Sequence, residues 1–464
     1  MSPQAGSVVA LALAIPSIMN DTGEKYYGIV EGFYGRPWNA RQRHQLFNWM
    51  QTGGLNTYLY APKDDLKHRT AWRELYDEPE AAELAALIRD CSRHRLNFVY
   101  ALAPGLDIHY TQPAEFEALA AKLNQVIELG CKRFAILFDD IPAQLDPDSK
   151  ARFGSFAKAH CEVTHKALGI VRARVPDSAF FFCPTPYCAW MARPSVADCP
   201  YLHELGENLL KEIEVFWTGP EIVSETIDPE PIRHLSAILR RKPVIWDNLH
   251  ANDYDMRRLY LGPYAGRSME LLGETAGILS NPNCQFEANF VAVRSLARFL
   301  GGQTEARERF LEALNAWLPM FQTRSGPPIL QSDLELLGDL FYLPFQNGER
   351  AERFLEDFRY LRATAPDKWD QRADRFRLTA AEIKALYEKM TALNNRDLLH
   401  SLYPHLWELK ETVLLLEAWV AWRQSNPEST DFASPEFRPR VFRGGLVSAF
   451  ERLLPMNERG RFPL

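Results

Sequence analysis

The chain has 464 residues, which is too long for one simple hydrophobic core and predicts at least two domains. Hydrophobic residues make up 46% of it and charged residues 24%, the ordinary balance of a soluble globular protein. The net charge of −7 argues against non-specific nucleic-acid binding, which needs a basic face, and no apolar stretch is long enough to span a membrane.

The seven cysteines are scattered, and none lies in a CxxC pair or at a zinc-like Cys/His spacing. The sequence therefore predicts neither a disulfide framework nor a metal site. No glycine-rich phosphate loop opens a helix, so no nucleotide or other cofactor is expected. A cytoplasmic location suits these thiols best. Residues 8–18 are apolar, but they follow no Lys or Arg and contain Pro16, which favours a loose tail and leaves secretion as the alternative.

From residue 26 onward one unit recurs, in which a short β-branched or aromatic run is followed by turn residues and an amphipathic helical pattern. The predicted strands are Tyr27–Val30, Thr57–Tyr60, Phe98–Leu102, Phe134–Phe138, Phe180–Cys183, Val215–Trp217, Val244–Trp246 and Gly277–Leu279. Helices are predicted between them, for example over 78–94, 115–129 and 231–240. Eight such units over about 250 residues predict an α/β fold of the (β/α)8 TIM-barrel type.

In a barrel of this type the active site lies at the C-terminal ends of the strands. The predicted ends are polar, glycine-bearing or both, and the fourth strand ends on Asp139 and Asp140. Two acids held close together resist ionising together, so one pKa of the pair rises and the pair offers a proton donor and a charge stabiliser. An isolated Asp-Asp pair more often caps a helix or forms surface ion pairs, but the other strand ends favour a site.

The residue types at the strand ends also predict the kind of ligand. Carboxylates, amides and a lysine can hydrogen-bond several hydroxyl groups, and Trp246 and Tyr187 offer apolar faces to a pyranose ring. Together they favour a sugar. A metal site would need a richer set of histidines than His250, which lies near Asp247 in the sequence.

The pattern changes after about residue 302, where the β signal disappears. Amphipathic helices are predicted over 330–341, 349–362, 379–394 and 398–422. We therefore divide the chain into an N-terminal tail (1–24), a catalytic barrel (25–302) and an all-α helical stalk domain (303–464). The long last helix of the stalk is rich in Leu and Trp, and it packs either on the rest of the chain or against a second copy. Residues 442–464 reveal no role.

The strand-end motifs, taken together, closely resemble the O-GlcNAcase family, the retaining β-N-acetylglucosaminidases of glycoside hydrolase family 84. The motifs are VEGFYGRPW at 30–38, YAPKDD at 60–65, LFDDI at 137–141, WDN at 246–248, HANDYD at 250–255 and NPNC at 281–284. The match runs from about residue 25 to 300, and 333–344 and 442–455 resemble the family's helical stalk. Relative to the animal enzyme the long insertion and the acetyltransferase-like domain are missing, so a compact, microbial form is expected.

The resemblance implies substrate-assisted catalysis, in which the sugar's 2-acetamido carbonyl attacks its own anomeric carbon and forms an oxazoline with net retention. By position, Asp139 would hold the acetamido N–H and stabilise the developing positive charge. Asp140 would protonate the leaving oxygen and then activate water. The matching sugar-binding positions are Gly32, Lys63, Tyr187, Trp246, Asn248, Asp253 and Asn281.

Two of these positions carry a more specific expectation. Tyr187 would contact the acetamido group, and Asp253 would bind the distal hydroxyls of the sugar. Pro186, just before Tyr187, departs from the glutamate of the animal relatives and could shift the tyrosine slightly.

The implied substrate is β-linked GlcNAc on Ser or Thr of a protein or on a small glycoside, and the implied partner is a second copy joined through the stalk. Two alternatives stay open. One is a hyaluronidase-like endo-acting enzyme with the same site and an open cleft, which would release oligosaccharides. The other is a barrel that binds GlcNAc without cleaving it, although such a protein has no need for a proton donor beside a charge stabiliser.

Overall fold

A computed structural model of the chain describes residues 24–142, 144–434 and 444–463. The predicted tail, apart from Glu24, lies outside the described residues, and so does the possible signal segment 8–18. The C-terminal stretch 442–464 is described only over 444–463.

Eight parallel strands form a closed barrel in chain order, which confirms the predicted fold class. The strands are β1 (Tyr26–Glu31), β2 (Thr57–Tyr60), β3 (Asn97–Leu102), β4 (Arg133–Leu137), β5 (Phe180–Cys183), β6 (Ile213–Trp217), β7 (Val244–Asp247) and β8 (Gly277–Ser280). In the register, Ile29 of β1 faces Tyr58 of β2 on one side and Ser280 of β8 on the other, which closes the sheet. The predicted strands differ from these by two residues at most.

Helices surround the strands. They are α1 (Ala40–Gly53), α2 (Glu78–Arg93), α3 (Pro113–Glu128), α4 (Pro147–Phe153), α5 (Phe156–Arg172), α6 (Pro200–Asn208), α7 (Pro229–Leu239), α8 (Leu271–Glu274) and α9 (Phe290–Leu300). Local sequence fixes where several of them begin. At the start of α2, the side chain of Asp77 accepts a hydrogen bond from the backbone N–H of Glu80. The side chain of Glu80 in turn accepts one from the backbone N–H of Asp77, and together the two bonds form a capping box.

Successive side chains along each strand point to opposite faces of the sheet, and this alternation builds two hydrophobic layers. Val30, Leu59 and Leu137 belong to the cluster that fills the barrel, while their neighbours Tyr58 and Ile136 pack in the cluster beneath the helices. The interior of the barrel is thus a packed core. Polar groups that follow the strands therefore gather at its C-terminal mouth.

The stalk is helical, with a small sheet that the sequence pattern did not predict. Its helices are α10 (Ala306–Trp317), α11 (Gln331–Leu340), α12 (Glu349–Ala363), α13 (Asp370–Thr391), α14 (Arg396–Ser425) and α15 (Gly445–Leu453). Two short antiparallel strands, β9 (Asp431–Ala433) and β10 (Arg461–Pro463), pair beside them. Helix α13 begins nine residues before the predicted start at residue 379, because its charged first turns show few apolar positions. None of the described helices combines the length and the apolar character needed to cross a bilayer.

The stalk core is continuous with the barrel. Leu259 and Leu261, from the loop after β7, belong to the stalk cluster, and the backbone N–H of Leu261 donates to the carbonyl of Phe341 at 2.6 Å. Much of the apolar face of α14, including Leu409 and Trp419, is buried in the same cluster. The loop after β7, which carries Asp253, is thereby fixed on the stalk.

Candidate active site

A cavity of about 490 Å³ opens at the C-terminal ends of the strands. All nine residues selected from the sequence line it, each from the end of a strand or the loop that follows. They are Gly32, Lys63, Asp139, Asp140, Tyr187, Trp246, Asn248, Asp253 and Asn281. The barrel thus brings residues that are up to 249 positions apart in the chain into one site.

Asp139 is a buried carboxylate next to two cations. Its Oδ2 atom accepts a hydrogen bond from Lys63 Nζ, and Arg69 Nη1 lies 4.0 Å from its Oδ1 atom. Burial alone would raise the pKa of Asp139, but the charges of Lys63 and Arg69 outweigh that effect and hold the pKa below its ordinary value. Asp139 is therefore an anion at neutral pH.

The second carboxylate oxygen of Asp139, Oδ1, is available to bind a ligand. Oδ1 is buried and has no hydrogen-bond partner within the described part of the chain. A buried carboxylate oxygen without a donor costs free energy, of the order of 1–3 kcal/mol or more for a charged group. A ligand that places an N–H or O–H group beside Oδ1 would recover that cost.

Asp140 lies just past the strand, where the backbone turns. Its φ is +48°, in the left-handed region that costs a non-glycine residue about 1–2 kcal/mol. Successive side chains of an extended chain point to opposite sides. The turn instead allows the side chains of Asp139 and Asp140 to line the same cavity.

Two tyrosines hold the carboxyl group of Asp140. The Tyr187 hydroxyl donates to Oδ1 at 2.9 Å, and the Tyr34 hydroxyl donates to Oδ2 at 3.3 Å. Partial burial of Tyr34 raises its pKa to about 12, with the charge of Arg69 acting against this and the charges of Asp140 and Asp139 adding to it. Asp140 thus meets neutral hydroxyl groups, whereas Asp139 meets two cations, and such contrasting surroundings are how paired acids acquire different roles.

The floor of the cavity is built by close packing around Trp246. A Cβ atom on Gly32 would lie 2.3 Å from the Trp246 ring, so only glycine can occupy that position without displacing the indole. The Gly32 N–H donates to Asn281 Oδ1 at 3.3 Å, and Trp246 Nε1 donates to Asn248 Oδ1 at 3.1 Å. The Phe216 ring packs nearly perpendicular to the indole, at 5.5 Å between ring centroids.

A buried ion pair supports this floor. Asp247, between Trp246 and Asn248, accepts two hydrogen bonds from Arg267 at 2.7 Å and one from the Tyr264 hydroxyl at 2.7 Å. Arg267 also donates to backbone carbonyls of the loop after β6, so β7 and that loop are held together. Asn248 Nδ2 donates to Ile222 O of the same loop at 2.7 Å.

Asp253 closes one side of the cavity. Its Oδ2 atom accepts the Tyr34 N–H at 2.9 Å, which ties the loop after β7 to the loop after β1. Burial raises the pKa of Asp253 above its ordinary value, although backbone N–H groups and the Lys63 charge act in the opposite direction. Its carboxyl group is suited to accept hydrogen bonds from hydroxyl groups.

Several cavity residues were not selected from the sequence. Tyr34 lies inside a strand-end motif, so its position was the available signal. Tyr254 likewise lies inside a strand-end motif, whereas Thr218, Ile222 and Val223 lie in the loop after β6, where periodicity does not distinguish them. Arg69, which contacts the acid pair without lining the cavity, lies six residues after Lys63 and carries no pattern in the sequence.

The histidine considered as a metal ligand has a structural role. His250 is buried, burial lowers its pKa to about 4, and its Nε2–H donates to the Gly262 carbonyl at 2.9 Å. Within the described ranges, the one group of three possible ligands is His44, Asp90 and His94, and none of these lines the cavity.

Comparisons with known proteins agree with the resemblance seen in the sequence motifs. The model of a β-N-acetylglucosaminidase family matches residues 27–321. A rat protein named protein O-GlcNAcase is 30% identical, in an alignment covering 93% of this chain and 69% of the rat protein. A mouse protein of the same name matches to the same extent.

A solved structure matches the fold. A mutant of the O-GlcNAc hydrolase of Thermobaculum terrenum superposes with a TM-score of 0.77 and 27% sequence identity. The match covers 86% of this chain and 85% of that chain, so it extends from the barrel into the stalk.

We predict that Gly32→Ala lowers the free energy of unfolding by about 1–3 kcal/mol, because the added methyl group overlaps the Trp246 ring. Thermal unfolding measured by calorimetry checks this. Gly169→Ala is the matched control, since no atom lies within 4 Å of its added Cβ in α5, and it should be neutral or stabilising. Equal melting temperatures for Gly32→Ala and wild type would contradict the packing described above.

Proposed function

The chain belongs to the β-N-acetylglucosaminidase family and is a glycoside hydrolase, and from that premise we propose that it removes O-linked GlcNAc from Ser and Thr of proteins. The proposed reaction is retaining hydrolysis assisted by the substrate's own acetamido group. The observation that carries this proposal is the pair Asp139 and Asp140. One carboxylate faces cations and keeps a buried oxygen to which no described residue donates, while the other faces hydroxyl groups.

In the first step, the acetamido carbonyl oxygen bonds to the anomeric carbon as the bond from that carbon to the Ser or Thr oxygen breaks. Asp140 gives its proton to the departing oxygen. The positive charge that develops on the acetamido nitrogen is stabilised by Asp139, whose Oδ1 atom accepts its N–H. Lys63 holds Asp139 in its charged form during this step.

In the second step, Asp140 takes a proton from water, and the oxygen of that water bonds to the anomeric carbon. The bond from this carbon to the acetamido oxygen breaks, which restores the acetamide. Two displacements at one carbon give net retention. The Tyr187 and Tyr34 hydroxyl groups orient Asp140 in both steps.

Contacts with the sugar follow from the rest of the cavity. In this proposal the Trp246 face packs against the ring, and the side chains of Asn248, Asp253 and Asn281, which line the cavity, bind hydroxyl groups. Tyr187, whose hydroxyl group donates to Asp140, contacts the acetamido group in this proposal.

Exposed apolar side chains at the mouth support a protein as the carrier of the sugar. Tyr34, Ile222 and Tyr254 line the cavity and are exposed, and Met256 and Trp190 are exposed nearby in the sequence. Side chains of a glycosylated peptide can pack against such a rim.

We further propose that the protein is a homodimer joined through the stalk. Exposed apolar residues on α13 and α14, among them Leu378, Tyr403 and Leu414, support this, although most of the apolar face of α14 is used within the chain. A cytoplasmic location is proposed as well, on the basis of the seven unpaired cysteines, six of them buried.

For the assembly, sedimentation velocity at micromolar concentration should give twice the mass of the chain. Leu378→Glu combined with Leu414→Glu should give the monomer, because each places a charge on the proposed interface. A wild-type protein that sediments as a monomer would contradict the dimer.

For the chemistry, wild type should hydrolyse a fluorogenic β-N-acetylglucosaminide, and Asp139→Asn and Asp140→Asn should each lose at least about a hundredfold in kcat. An activated phenolic leaving group needs less protonation. With such a substrate, Asp140→Asn should therefore keep more of the wild-type kcat, whereas Asp139→Asn should not. Steady-state rates with phenols of different acidity measure this difference.

Asp148→Asn is the matched control, because it makes the same change at an exposed position in α4. Full activity in the Asp139 and Asp140 variants would place the catalytic centre elsewhere. A wild type that binds the sugar without turnover would reassign the chain as a binding protein.

A further inference from the structure

Arg69 contacts the backbone of the acid pair from a loop that is anchored on the neighbouring strand, β3. It follows Lys63 by six residues in the loop between β2 and α2, and it is 4% exposed. Its neighbour His68 donates from Nδ1 to the Ala101 carbonyl at 2.6 Å, and the Ala103 N–H donates to the His68 carbonyl at 2.9 Å. These bonds fix the loop on the end of β3, next to the end of β4.

The guanidinium group of Arg69 binds the backbone of both acids. Nη1 donates to the Asp139 carbonyl at 3.3 Å, and Nη2 donates to the Asp140 carbonyl at 2.8 Å. These two carbonyl groups flank the backbone of Asp140, whose φ is in the left-handed region. One planar group that binds both carbonyls fixes the turn between the two side chains.

The charge of Arg69 acts on the same pair. Nη1 lies 4.0 Å from Asp139 Oδ1, the oxygen that has no hydrogen-bond partner among the residues described. Lys63 binds the other oxygen of this carboxylate. The two cations therefore approach Asp139 from different directions, and they do so from one loop.

We propose that Arg69 is a positioning residue for glycoside cleavage, which holds the carboxyl groups of Asp139 and Asp140 on the cavity side and faces Asp139 with a positive charge. This role rests on the function proposed above. Arg69 does not line the cavity, so it acts through the two acids and not on the sugar.

The geometry requires arginine. A guanidinium group is a rigid planar fork that can donate to two acceptors at once, while a lysine ammonium is a single point charge on a flexible chain. Lysine at position 69 would thus keep the charge and lose the double hydrogen bond. This difference separates the electrostatic part of the role from the geometric part.

The test compares Arg69→Met and Arg69→Lys by kcat, KM and the pH dependence of kcat/KM for a fluorogenic β-N-acetylglucosaminide. Arg69→Met should lose about a hundredfold in kcat with little change in KM, because the acids move from their reacting positions. The acidic limb of its profile should move up by about one pH unit, because without the Arg69 charge the pKa of Asp139 rises and the carboxylate protonates sooner on acidification. Arg69→Lys should keep the wild-type acidic limb and still lose about tenfold in kcat.

Arg73→Met is the matched control. Arg73 lies in the same loop, is more exposed and pairs with Asp107 and Glu115, so its removal tests damage to the loop alone. Its kcat and pH profile should match wild type. If Arg69 had only a structural role, Arg69→Met would lower the melting temperature and leave the acidic limb of the pH profile unchanged.

Wild-type turnover tests the proposed function before any variant is compared. Given that turnover, folded Arg69→Met and Arg69→Lys proteins with wild-type kcat and pH profile would overturn the role of Arg69 alone. A rise in KM at unchanged kcat would overturn it too, because it would assign Arg69 to substrate binding. Failure of both variants to fold would assign Arg69 to the stability of the barrel and would also reject the proposal.

Discussion

The site depends on keeping a negative charge buried at the end of β4. A carboxylate removed from water is costly unless it is paired. Lys63 and Arg69 provide the pairing for Asp139, and both come from the loop after β2. The same arrangement leaves one oxygen of Asp139 without a donor among the described residues. The structure thus stabilises the charge and yet leaves it incompletely satisfied until a ligand arrives.

The barrel and the stalk each position part of this site. Parallel strands bring eight loops to one mouth, and buried ion pairs hold those loops against one another, as Arg267 does between the loops after β6 and β7. The stalk binds the backbone of the loop after β7 at Leu261, and that loop reaches the loop after β1 through Asp253 and Tyr34. The cavity is thus lined by residues of the barrel, and the stalk supports one of the loops that carry them.

The fold was predictable because apolar runs and turn residues alternate regularly. The convergence of strand ends in a barrel directed attention to Asp139 and Asp140, whereas the set of sugar-binding positions came from the resemblance to the family. Other features depend on contacts that no local pattern encodes. The left-handed turn at Asp140 is hydrogen-bonded by Arg69, which lies 71 residues earlier. The sequence pattern did not predict helix α10 or the first turns of α13, because charged residues interrupt their apolar faces. It did not predict β9 and β10, because each has only three residues.

The central claim is that the substrate's own acetamido oxygen attacks the anomeric carbon while Asp139 stabilises the charge. It is tested most directly by kcat/KM for β-glucosaminides whose N-acyl group is acetyl, fluoroacetyl, difluoroacetyl or trifluoroacetyl. Each fluorine makes the carbonyl oxygen less nucleophilic, so the account predicts a steep fall along the series. A flat response would contradict it, because it would mean that a group of the protein makes the attack.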